Sequence, residues 1–489
     1  MQALAISLFP ILNVLGVVVT IFAFTILAPL MVAFFAGDAA LAAYDTAFLI
    51  TVAAGVLMWF VTRRFKRELL PRDGFLLVTL AWTVLPAFAT LPLMLFLSEL
   101  SFTDAYFEAM SGLTTTGATT LAGLDKLPPS INFWRCQLQW MGGMGILVLT
   151  VAILPLLGVG GTQLFRAESA GPLKEHKLTP RIAETAKGLW TVYAVISLAC
   201  VLAYRAGGMT WFDAVVHMFT TMSLGGLSSH DASFAFFESP LLEWIAIVFM
   251  LLASCNFALF FLTWRRRSPR ALMTDTEARG TIAIMVAGSL AVAVYLLWHG
   301  TYADWPTALR TAMFNVVSIA STTGYATADF NTWPAFAPWL MLLLSGMATS
   351  AGSTGAGIKM IRFIVLIKQA QREMLRTLHP RVVNPVRIRD AIVENNVIYA
   401  VLAFMLVYGA TIIVLTFLLM ISGLDVVTAF SAIIATVNNT GPGLNQVGPA
   451  TNFAVLTDFE TWVCTVAMLL GRLELISVLV LFTPAFWRK

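Results

Sequence analysis

The residues Ser321-Thr322-Thr323-Gly324-Tyr325-Ala326-Thr327 follow a short apolar run, 312–320, and this stretch decides how the rest of the chain is organised. The apolar run is too short to cross a bilayer, because a membrane-spanning helix takes about 20 residues. Small side chains leave the backbone itself free to act as a ligand, and glycine permits conformations that other residues resist. One interpretation is a short helix that enters the membrane and ends in a polar loop. An external turn is the alternative.

The same pattern occurs four times along the chain. The loops are Ser111–Thr119, Thr221–Ser228, Ser321–Thr327 and Val437–Gly443, and their glycines are Gly117, Gly226, Gly324 and Gly441. Each loop follows a short apolar run that opens with an acid, which is Asp104, Asp213, Asp304 or Asp425. A motif that returns about once per hundred residues indicates an internal repeat. One pore built from four covalently linked quarters accounts for all four copies.

A short helix followed by Thr-Thr-Gly-Tyr resembles the filter loop of potassium channels, in which backbone carbonyls replace the water shell of the ion. The residues that would form such a filter here are Thr115, Thr116, Gly117, Leu224, Gly225, Gly226, Thr322, Thr323, Gly324, Asn439, Thr440 and Gly441. The short helices would point their negative dipole ends toward the cation. Ordinary helix caps and turns are the alternative, and the fourfold recurrence favours the filter.

Composition restricts the class of protein. The chain has 489 residues, of which 59% are hydrophobic and 11% charged, whereas soluble domains carry about 25% charged residues. We therefore expect an all-α polytopic membrane protein with no covalent cofactor and no nucleic-acid partner. The four cysteines and five histidines are dispersed, so the sequence has no cluster typical of a membrane enzyme or a metal site.

Apolar spans alternate with basic loops. Two N-terminal spans, near 8–34 and 45–62, precede four units of outward span, short helix, filter loop and inward span. The outward spans are predicted near 74–98, 188–206, 279–298 and 394–422, and the inward spans near 132–157, 241–263, 335–367 and 458–484. The corresponding regions are an N-terminal two-helix region, 1–73, and pore units at 74–187, 188–278, 279–393 and 394–489.

Most Lys and Arg residues lie in the loops that follow the inward spans, as Arg265, Arg266 and Arg267 do. The positive-inside rule then places these loops and both termini in the cytoplasm and all four filter loops outside. All four units point the same way, which argues against the inverted repeats of many alternating-access transporters.

Two inward spans carry features that are costly inside a membrane. The run 345–357 breaks the third inward span with Gly346, Gly352, Gly355 and Gly357. Broken backbone at membrane depth is tolerated beside a watery cavity, and close packing of small residues is the alternative. Arg472 lies midway along the last apolar span, where a charge is costly. It either faces the pore or pairs with an acid such as Glu474.

Other charged residues near these features have two interpretations each. Lys359 is a second candidate pore cation, or its side chain reaches the cytoplasmic surface. Asp125, Asp231 and Asp329 follow the filters and either attract cations to the outer mouth or are solvated loop acids.

The chain resembles the Trk/Ktr/HKT superfamily of potassium transporters, and most closely the TrkH-type pore subunits of bacterial Trk systems. The motifs that carry the resemblance are Thr-Thr-Thr-Gly-Ala-Thr at 114–119, Gly-Gly-Leu-Ser-Ser-His-Asp-Ala-Ser at 225–233, Ser-Thr-Thr-Gly-Tyr at 321–325, Asn-Asn-Thr-Gly-Pro-Gly at 438–443 and Gly-Arg-Leu-Glu at 471–474. The resemblance implies a gate at the third glycine run and a homodimer with one pore per protomer. It also implies a cytosolic, nucleotide-binding regulatory ring of the TrkA type. Leu224-Gly225 departs from the other loops, which puts strict fourfold symmetry of the ion sites in question.

These features together predict potassium uptake across the bacterial inner membrane through a channel-like pore, with K⁺ as the bound and transported ion. A secondary transporter that couples K⁺ to H⁺ or Na⁺ movement is the alternative. An enzyme is not expected.

Overall fold

The computed structural model describes residues 2–65, 67, 69–152, 178–389 and 391–488. Across these ranges the backbone is predominantly α-helical, apart from a short antiparallel hairpin in which β1 (Arg387–Ile388) pairs with β2 (Ala391–Ile392). Helices suit lipid because each backbone N–H and C=O finds its partner within the segment. The predicted all-α polytopic class is confirmed.

The N-terminal region consists of α1 (Gln2–Thr25), α2 (Leu27–Ala36) and α3 (Leu41–Thr62). Helices α1 and α3 cross closely at two glycines. A Cβ atom on Gly16 would lie 2.7 Å from the backbone nitrogen of Trp59, and one on Gly55 would lie 2.8 Å from that of Thr20. Small residues at a helix crossing allow this backbone approach, which is a common way to pack helices in lipid.

Four units of similar design follow. Unit one contains α4 (Pro71–Phe96), α5 (Phe102–Leu113) and α6 (Pro129–Ala152), and unit two contains α7 (Leu178–Ala206), α8 (Trp211–Met222), α9 (Pro240–Ala253), α10 (Phe257–Arg266) and α11 (Arg270–Thr274). Unit three contains α12 (Thr276–Trp298), α13 (Trp305–Ala320), α14 (Phe336–Met347) and α15 (Met360–Leu378). Unit four contains α16 (Asn395–Ile421), α17 (Val426–Val437), α18 (Asp458–Arg472), α19 (Ile476–Leu479) and α20 (Pro484–Trp487). The short helices α5, α8, α13 and α17 are the pore helices.

Inward spans two and four are not the continuous helices that the sequence predicted. Helices α9 and α10 meet at 88°, and α18 bends by 105° into the segment Ile476–Phe482. The second break is capped by Asn256, whose side chain accepts a hydrogen bond from the N–H of Ala258. The fourth break contains Glu474 and Leu475, which both have positive φ.

The third inward span is also broken, between Met347 and Met360, where the glycine run lies. The end of the first predicted inward span lies outside the described residues.

Six helices in the described ranges are long and apolar enough to cross a membrane, or up to eight if each bent pair is one span. The long outer helices carry exposed apolar side chains, such as Trp298 at 83% and Ile421 at 81% exposure. The pore helices are instead largely buried, and residues 314–320 of α13 form a fully buried run. The long helices therefore surround the pore helices and present their apolar faces outward.

Candidate functional site

The four pore helices begin with the same type of cap. A side-chain oxygen just before each helix accepts a hydrogen bond from a backbone N–H of the first turn, which satisfies a donor that the helix itself cannot. The caps are Ser101, Thr210, Asp304 and Asp425, and the donors are the N–H groups of Asp104, Asp213, Thr307 and Thr428. Two of the predicted opening acids are thus the caps themselves, and the other two lie three residues after a hydroxyl cap.

The pore helices also end alike. Each is followed by a residue with positive φ, then by one ordinary residue, then by the repeated glycine with positive φ. The angles are 54° at Thr115, 54° at Leu224, 65° at Thr322 and 51° at Asn439, followed by 83° at Gly117, 71° at Gly226, 91° at Gly324 and 98° at Gly441. A left-handed conformation is strained for residues such as Thr and Leu, so its recurrence at the same position of every loop marks a constrained backbone.

The residue between these two positions makes the same hydrogen bond in every unit. Its N–H donates to a carbonyl of the last helical turn, at 2.9 Å for Thr116 and Gly225, 2.8 Å for Thr323 and 2.7 Å for Thr440. Unit two, with Leu224-Gly225, therefore has the same backbone conformation as the other three. Unit two differs from the other three units at these positions only in its side chains.

The four loops close into a ring. A Cβ on Gly117 would lie 2.0 Å from the carbonyl oxygen of Gly225, which is far inside contact distance. The same clash recurs from each unit to the next: Gly226 against the oxygen of Thr323 at 2.0 Å, Gly324 against that of Thr440 at 2.1 Å, and Gly441 against that of Thr116 at 2.8 Å. The units thus follow one another around a common axis in chain order, and each junction consists of a glycine and a backbone carbonyl.

Buried side chains hold the ring from behind, and sequence analysis missed them. Gln139 of α6 donates to the carbonyl of Gly225 at 2.7 Å and accepts from the N–H of Leu227 at 3.1 Å. A Cβ on Gly225 would meet Gln139 at 2.4 Å, which explains why this unit has glycine where the others have threonine. The Tyr325 hydroxyl lies 3.1 Å from that of Thr221 and donates to the carbonyl of His217 at 3.0 Å, so it joins units three and two.

A cavity of about 90 Å³ opens on the side of the ring where the chain leaves the four loops. Asp231 lines this cavity. Asp125 instead lies 2.5 Å from Nδ1 of His230, and Asp329 accepts a hydrogen bond from the N–H of Asn331. The three acids that the sequence grouped together therefore have different surroundings.

His230 bridges units one and two at this mouth, and its charge makes the contact dependent on pH. Burial opposes the protonated ring, but the hydrogen bonds that the ring donates to Asp213 and Asp125 more than offset burial and raise the pKa of His230 above its ordinary value of 6.5. Partial burial of Asp125 is likewise outweighed, by His230 and the N–H of Asp231, so its pKa is lowered. Both groups are therefore charged, and the ion pair is formed, at pH values between the lowered pKa of Asp125 and the raised pKa of His230.

We expect His230→Gln to lower the melting temperature more at about pH 6 than at about pH 9.5, by roughly 1–3 °C. A raised histidine pKa contributes stability that is fully present below the ordinary value and is lost as pH rises through the raised one. The measurement is thermal unfolding of purified protein at both pH values. His299→Gln is the control, because that exposed ring contacts the carbonyl of Tyr295 in its own helix. An equal loss at both pH values would contradict the charged bridge.

The segment between α14 and α15, Ala348–Lys359, covers the opposite end of the ring. The Thr354 hydroxyl donates to the carbonyl of Met222 at 3.0 Å, and the N–H of Ala356 donates to the Thr322 hydroxyl at 3.2 Å. The segment therefore touches the ends of two pore helices. Glu277 of α12, which sequence analysis missed, accepts from the N–H groups of Ala351 at 2.6 Å and Ile361 at 3.2 Å. One carboxylate oxygen thereby ties the first part of the segment to the first turn of α15.

Three of the four predicted gate glycines are required by the geometry of this segment. Gly352 and Gly357 have φ values of 75° and 82°. A Cβ on Gly355 would lie 2.6 Å from Thr349. Gly346 differs, because it lies within α14 and a Cβ there would make only ordinary contacts.

Arg472 ends α18 and lies at the centre of these elements with 2% exposure. Its Nη1 donates to the carbonyl of Thr354 at 2.9 Å, and its Nη2 donates to that of Gly142 at 3.2 Å. Glu474 pairs with Arg362 at 2.5 Å, so it is not the partner of Arg472. The guanidinium joins the covering segment to α6. Lys359 is also buried, and its ammonium donates to the carbonyl of Gly355 instead of reaching the surface.

Among the described residues, no group of three His, Cys, Asp or Glu side chains could hold a metal ion. The four cysteines are free and buried. The four junctions of the ring present backbone carbonyl oxygens, which are hard ligands suited to cations such as K⁺.

Comparison with known proteins agrees with this architecture. The family model of TrkH, described as a cation transport protein, matches residues 42–489. The chain is 46% identical over 484 residues to the Trk system potassium uptake protein TrkH of Halomonas elongata, covering 99% of this chain and 100% of that protein. It is 43% identical over 480 residues to the protein of the same name from Escherichia coli K12, covering 98% and 99%.

A solved structure is also similar. The crystal structure of the potassium transporter TrkH from Vibrio parahaemolyticus matches with a TM-score of 0.91 and 43% identity, covering 98% of this chain and 99% of that one. The family model, the identity over nearly the full length and the fold thus agree, and the chain belongs to the TrkH family of cation transport proteins.

Proposed function

We propose that this protein takes up K⁺ through one channel-like pore, at the centre of the ring formed by the four glycine loops. The observation that carries the proposal is the closed chain of four glycine–carbonyl junctions, from Gly117 through Gly226 and Gly324 to Gly441. A ring of backbone carbonyls at one level can replace the hydration shell of a monovalent cation. Relatives that match 98–99% of the chain carry the name potassium uptake protein, which supports the choice of ion.

The filter in this proposal comprises the residue with positive φ, the following residue and the glycine in each unit. These residues are Thr115, Thr116, Gly117, Leu224, Gly225, Gly226, Thr322, Thr323, Gly324, Asn439, Thr440 and Gly441. Their backbone oxygens are the ion ligands that we propose, and this role stays a prediction. The shared hydrogen-bond pattern of the four loops supports it, because equal backbone geometry would place equivalent oxygens at equivalent depths.

The segment Ala348–Lys359 and Arg472 form the gate in this proposal. The segment lies across the ring on the side opposite the mouth cavity, and Arg472 holds it through the carbonyl of Thr354. Opening would require this contact and the Thr354–Met222 contact to separate. Glycines at 352, 355 and 357 would supply the backbone freedom for that movement.

Ion flux in vesicles tests the proposal directly. Purified protein reconstituted in lipid vesicles should pass K⁺, and the comparison with Rb⁺ and Na⁺ gives its preference. A reversal potential that follows the K⁺ gradient alone supports a channel-like pore. A reversal potential that also shifts with H⁺ or Na⁺ gradients would support coupled transport, the alternative function.

We further propose an inner-membrane location with both termini in the cytoplasm, a homodimer, and a cytosolic nucleotide-binding partner. Arg265, Arg266 and Arg267 support a cytosolic docking site, because all three are exposed at the end of α10. Clustered positive charge attracts an acidic or nucleotide-bound surface and speeds its association.

We expect neutralisation of this cluster to weaken partner binding about tenfold, since exposed ion pairs contribute roughly 0.2–1 kcal/mol each. The variant is Arg265→Gln with Arg266→Gln and Arg267→Asn. Asparagine is used at 267 because φ there is 49°, a conformation that asparagine tolerates. Binding of the nucleotide-binding partner to purified protein is the measurement.

The control for this experiment is Arg63→Gln with Arg64→Gln. These two exposed basic residues lie at the end of α3, so they also directly follow an apolar span. Membrane topology is determined for both variants, because basic residues also set orientation. Correct insertion with undiminished partner binding would rule out docking at residues 265–267.

A further inference from the structure

Each pore helix holds in place the few residues that follow its filter glycine, which we call the filter strand. The four units use different side chains to do so. In units two and three the bracing side chain lies nine positions before the filter glycine. His217 contacts the Ser228 hydroxyl at 3.0 Å. The side-chain amide of Asn315 donates to the Thr327 hydroxyl at 2.9 Å and accepts from the N–H of Thr327 at 3.2 Å. Unit four has Ala432 at this position, and the neighbouring Ser431 accepts from the N–H of Leu444 at 2.9 Å instead.

Unit one has a carboxylate, Glu108, at the same position. Its Oε1 accepts from the N–H of Thr120 at 2.6 Å and from that of Leu121 at 3.2 Å, and it also binds the Thr119 hydroxyl. Its Oε2 accepts from Nε of Arg135 at 3.1 Å. The strand after Gly117 is therefore held at three successive residues by one side chain.

Arg135 completes a closed set of contacts in unit one. Its Nη2 donates to the Thr119 hydroxyl at 2.8 Å, so Glu108, Arg135 and Thr119 contact one another. The side chains of the pair are 0% and 1% exposed. Full burial of two charges carries a desolvation cost that their attraction seldom exceeds, so stability alone does not explain the pair. Its hydrogen bonds do fix one geometry of the strand.

We propose that Glu108 and Arg135 are positioning residues that determine ion discrimination by holding the unit-one filter loop. This inference rests on the proposed function of the ring. Thr119 lies two residues after Gly117, and Gly117 packs against the carbonyl oxygen of Gly225 without room for another atom. A strand released at Thr119 therefore shifts Gly117 and loosens the junction between units one and two. Selectivity sites tolerate displacement of only about 0.5 Å.

The test is the K⁺/Na⁺ flux ratio of full-length protein in lipid vesicles. Glu108→Gln keeps the shape of the side chain and removes the charge, and Thr119→Val removes the shared hydroxyl at nearly constant volume. We expect both variants to lower the ratio by about five- to tenfold, because carbonyl placement sets selectivity. Thr119→Ser restores the hydroxyl and is expected to restore the ratio.

Glu243→Gln is the matched control. Glu243 of α9 pairs with Arg310 of the pore helix α13 at 3.5 Å. Like Arg135 and Glu108, this pair joins an inward-span helix to a pore helix. Among the hydrogen bonds of the described residues, none joins Arg310 to a filter strand. We therefore expect Glu243→Gln to keep the wild-type K⁺/Na⁺ flux ratio.

Each outcome decides the matter. Melting temperature is measured for every variant, and Thr119→Val carries the test if Glu108→Gln does not fold. A folded Thr119→Val protein with the wild-type ratio overturns the proposal. An equal fall of K⁺ and Na⁺ flux in Glu108→Gln also overturns the proposal, because it would show that the charge of the unpaired Arg135 repels both ions. If Gly117→Ser also leaves the ratio unchanged, the filter assignment fails, which is distinct from failure of the brace alone.

Discussion

Gly117→Ser is expected to lower the K⁺/Na⁺ flux ratio at least tenfold, about 1.4 kcal/mol of lost discrimination. Two physical reasons support a large effect. The φ value at Gly117 is 83°, which a residue with a side chain resists. A Cβ there would also lie 2.0 Å from the carbonyl oxygen of Gly225, so one of two neighbouring units must move.

The measurement is unidirectional flux of K⁺ and Na⁺ from vesicles that contain equal amounts of variant and wild-type protein. Gly123→Ser is the matched control. Gly123 follows the same loop and has a similar φ of 70°, but a Cβ there would meet no atom within 4 Å. The control thus separates backbone strain from the clash at the ring. An unchanged ratio in Gly117→Ser would show that this loop is not the filter.

Arg472→Ala is expected to raise K⁺ flux about three- to tenfold and to keep the K⁺/Na⁺ ratio. The guanidinium keeps its charge in proteins. At an effective dielectric near 20, two unit charges about 6 Å apart repel by roughly 3 kcal/mol, and water in the pathway reduces this value. Removing the charge lowers that barrier. It also releases the carbonyl of Thr354, so the covering segment loses one of its contacts.

The variant should fold, because truncation leaves no acid unpaired. The ion pairs among the described residues do not include Arg472, and Glu474 keeps its pair with Arg362. Purified variant and wild type are compared by melting temperature, and then by flux of K⁺ and Na⁺.

Arg472→Lys separates the two causes of the expected rise. Lysine keeps the charge but lacks the planar fork that reaches the carbonyls of both Thr354 and Gly142. Slow flux in the lysine variant assigns the effect to charge, and fast flux assigns it to release of the segment. Unchanged flux in Arg472→Ala, or failure of that variant to fold, would favour a purely structural role.

The membrane class and the fourfold repeat could both be predicted from the sequence. Hydrophobic content reports directly whether a chain can stay in lipid. The helix–loop–glycine signal depends only on neighbours within a few residues, since caps and left-handed turns are local. Gly117, Gly226, Gly324 and Gly441 could therefore be found without a structure. The positive φ at all four confirms the backbone part of that prediction, while the binding of ions there stays a prediction.

The breaks in two inward spans show where the local signal was too weak. The third span contains a glycine run, and the break there could be anticipated. The second and fourth spans break beside Asn256 and Glu474, at sites without a glycine run, and the sequence predicted continuous helices. The cap of Asn256 and the positive φ of Glu474 and Leu475 become visible only with the backbone in place.

Only the tertiary structure decided which residues meet around the ring. The order of the units, the place of Gln139 behind Gly225 and the partners of Arg472 each join residues far apart in the chain. Asn439 and Thr116, which share a 2.9 Å hydrogen bond, are separated by 323 positions. The sequence determined each quarter of the pore because helix ends and glycine turns are local backbone chemistry. The closure of four quarters was decided by packing, because carbonyl and glycine meet only when separate helices bury their surfaces together.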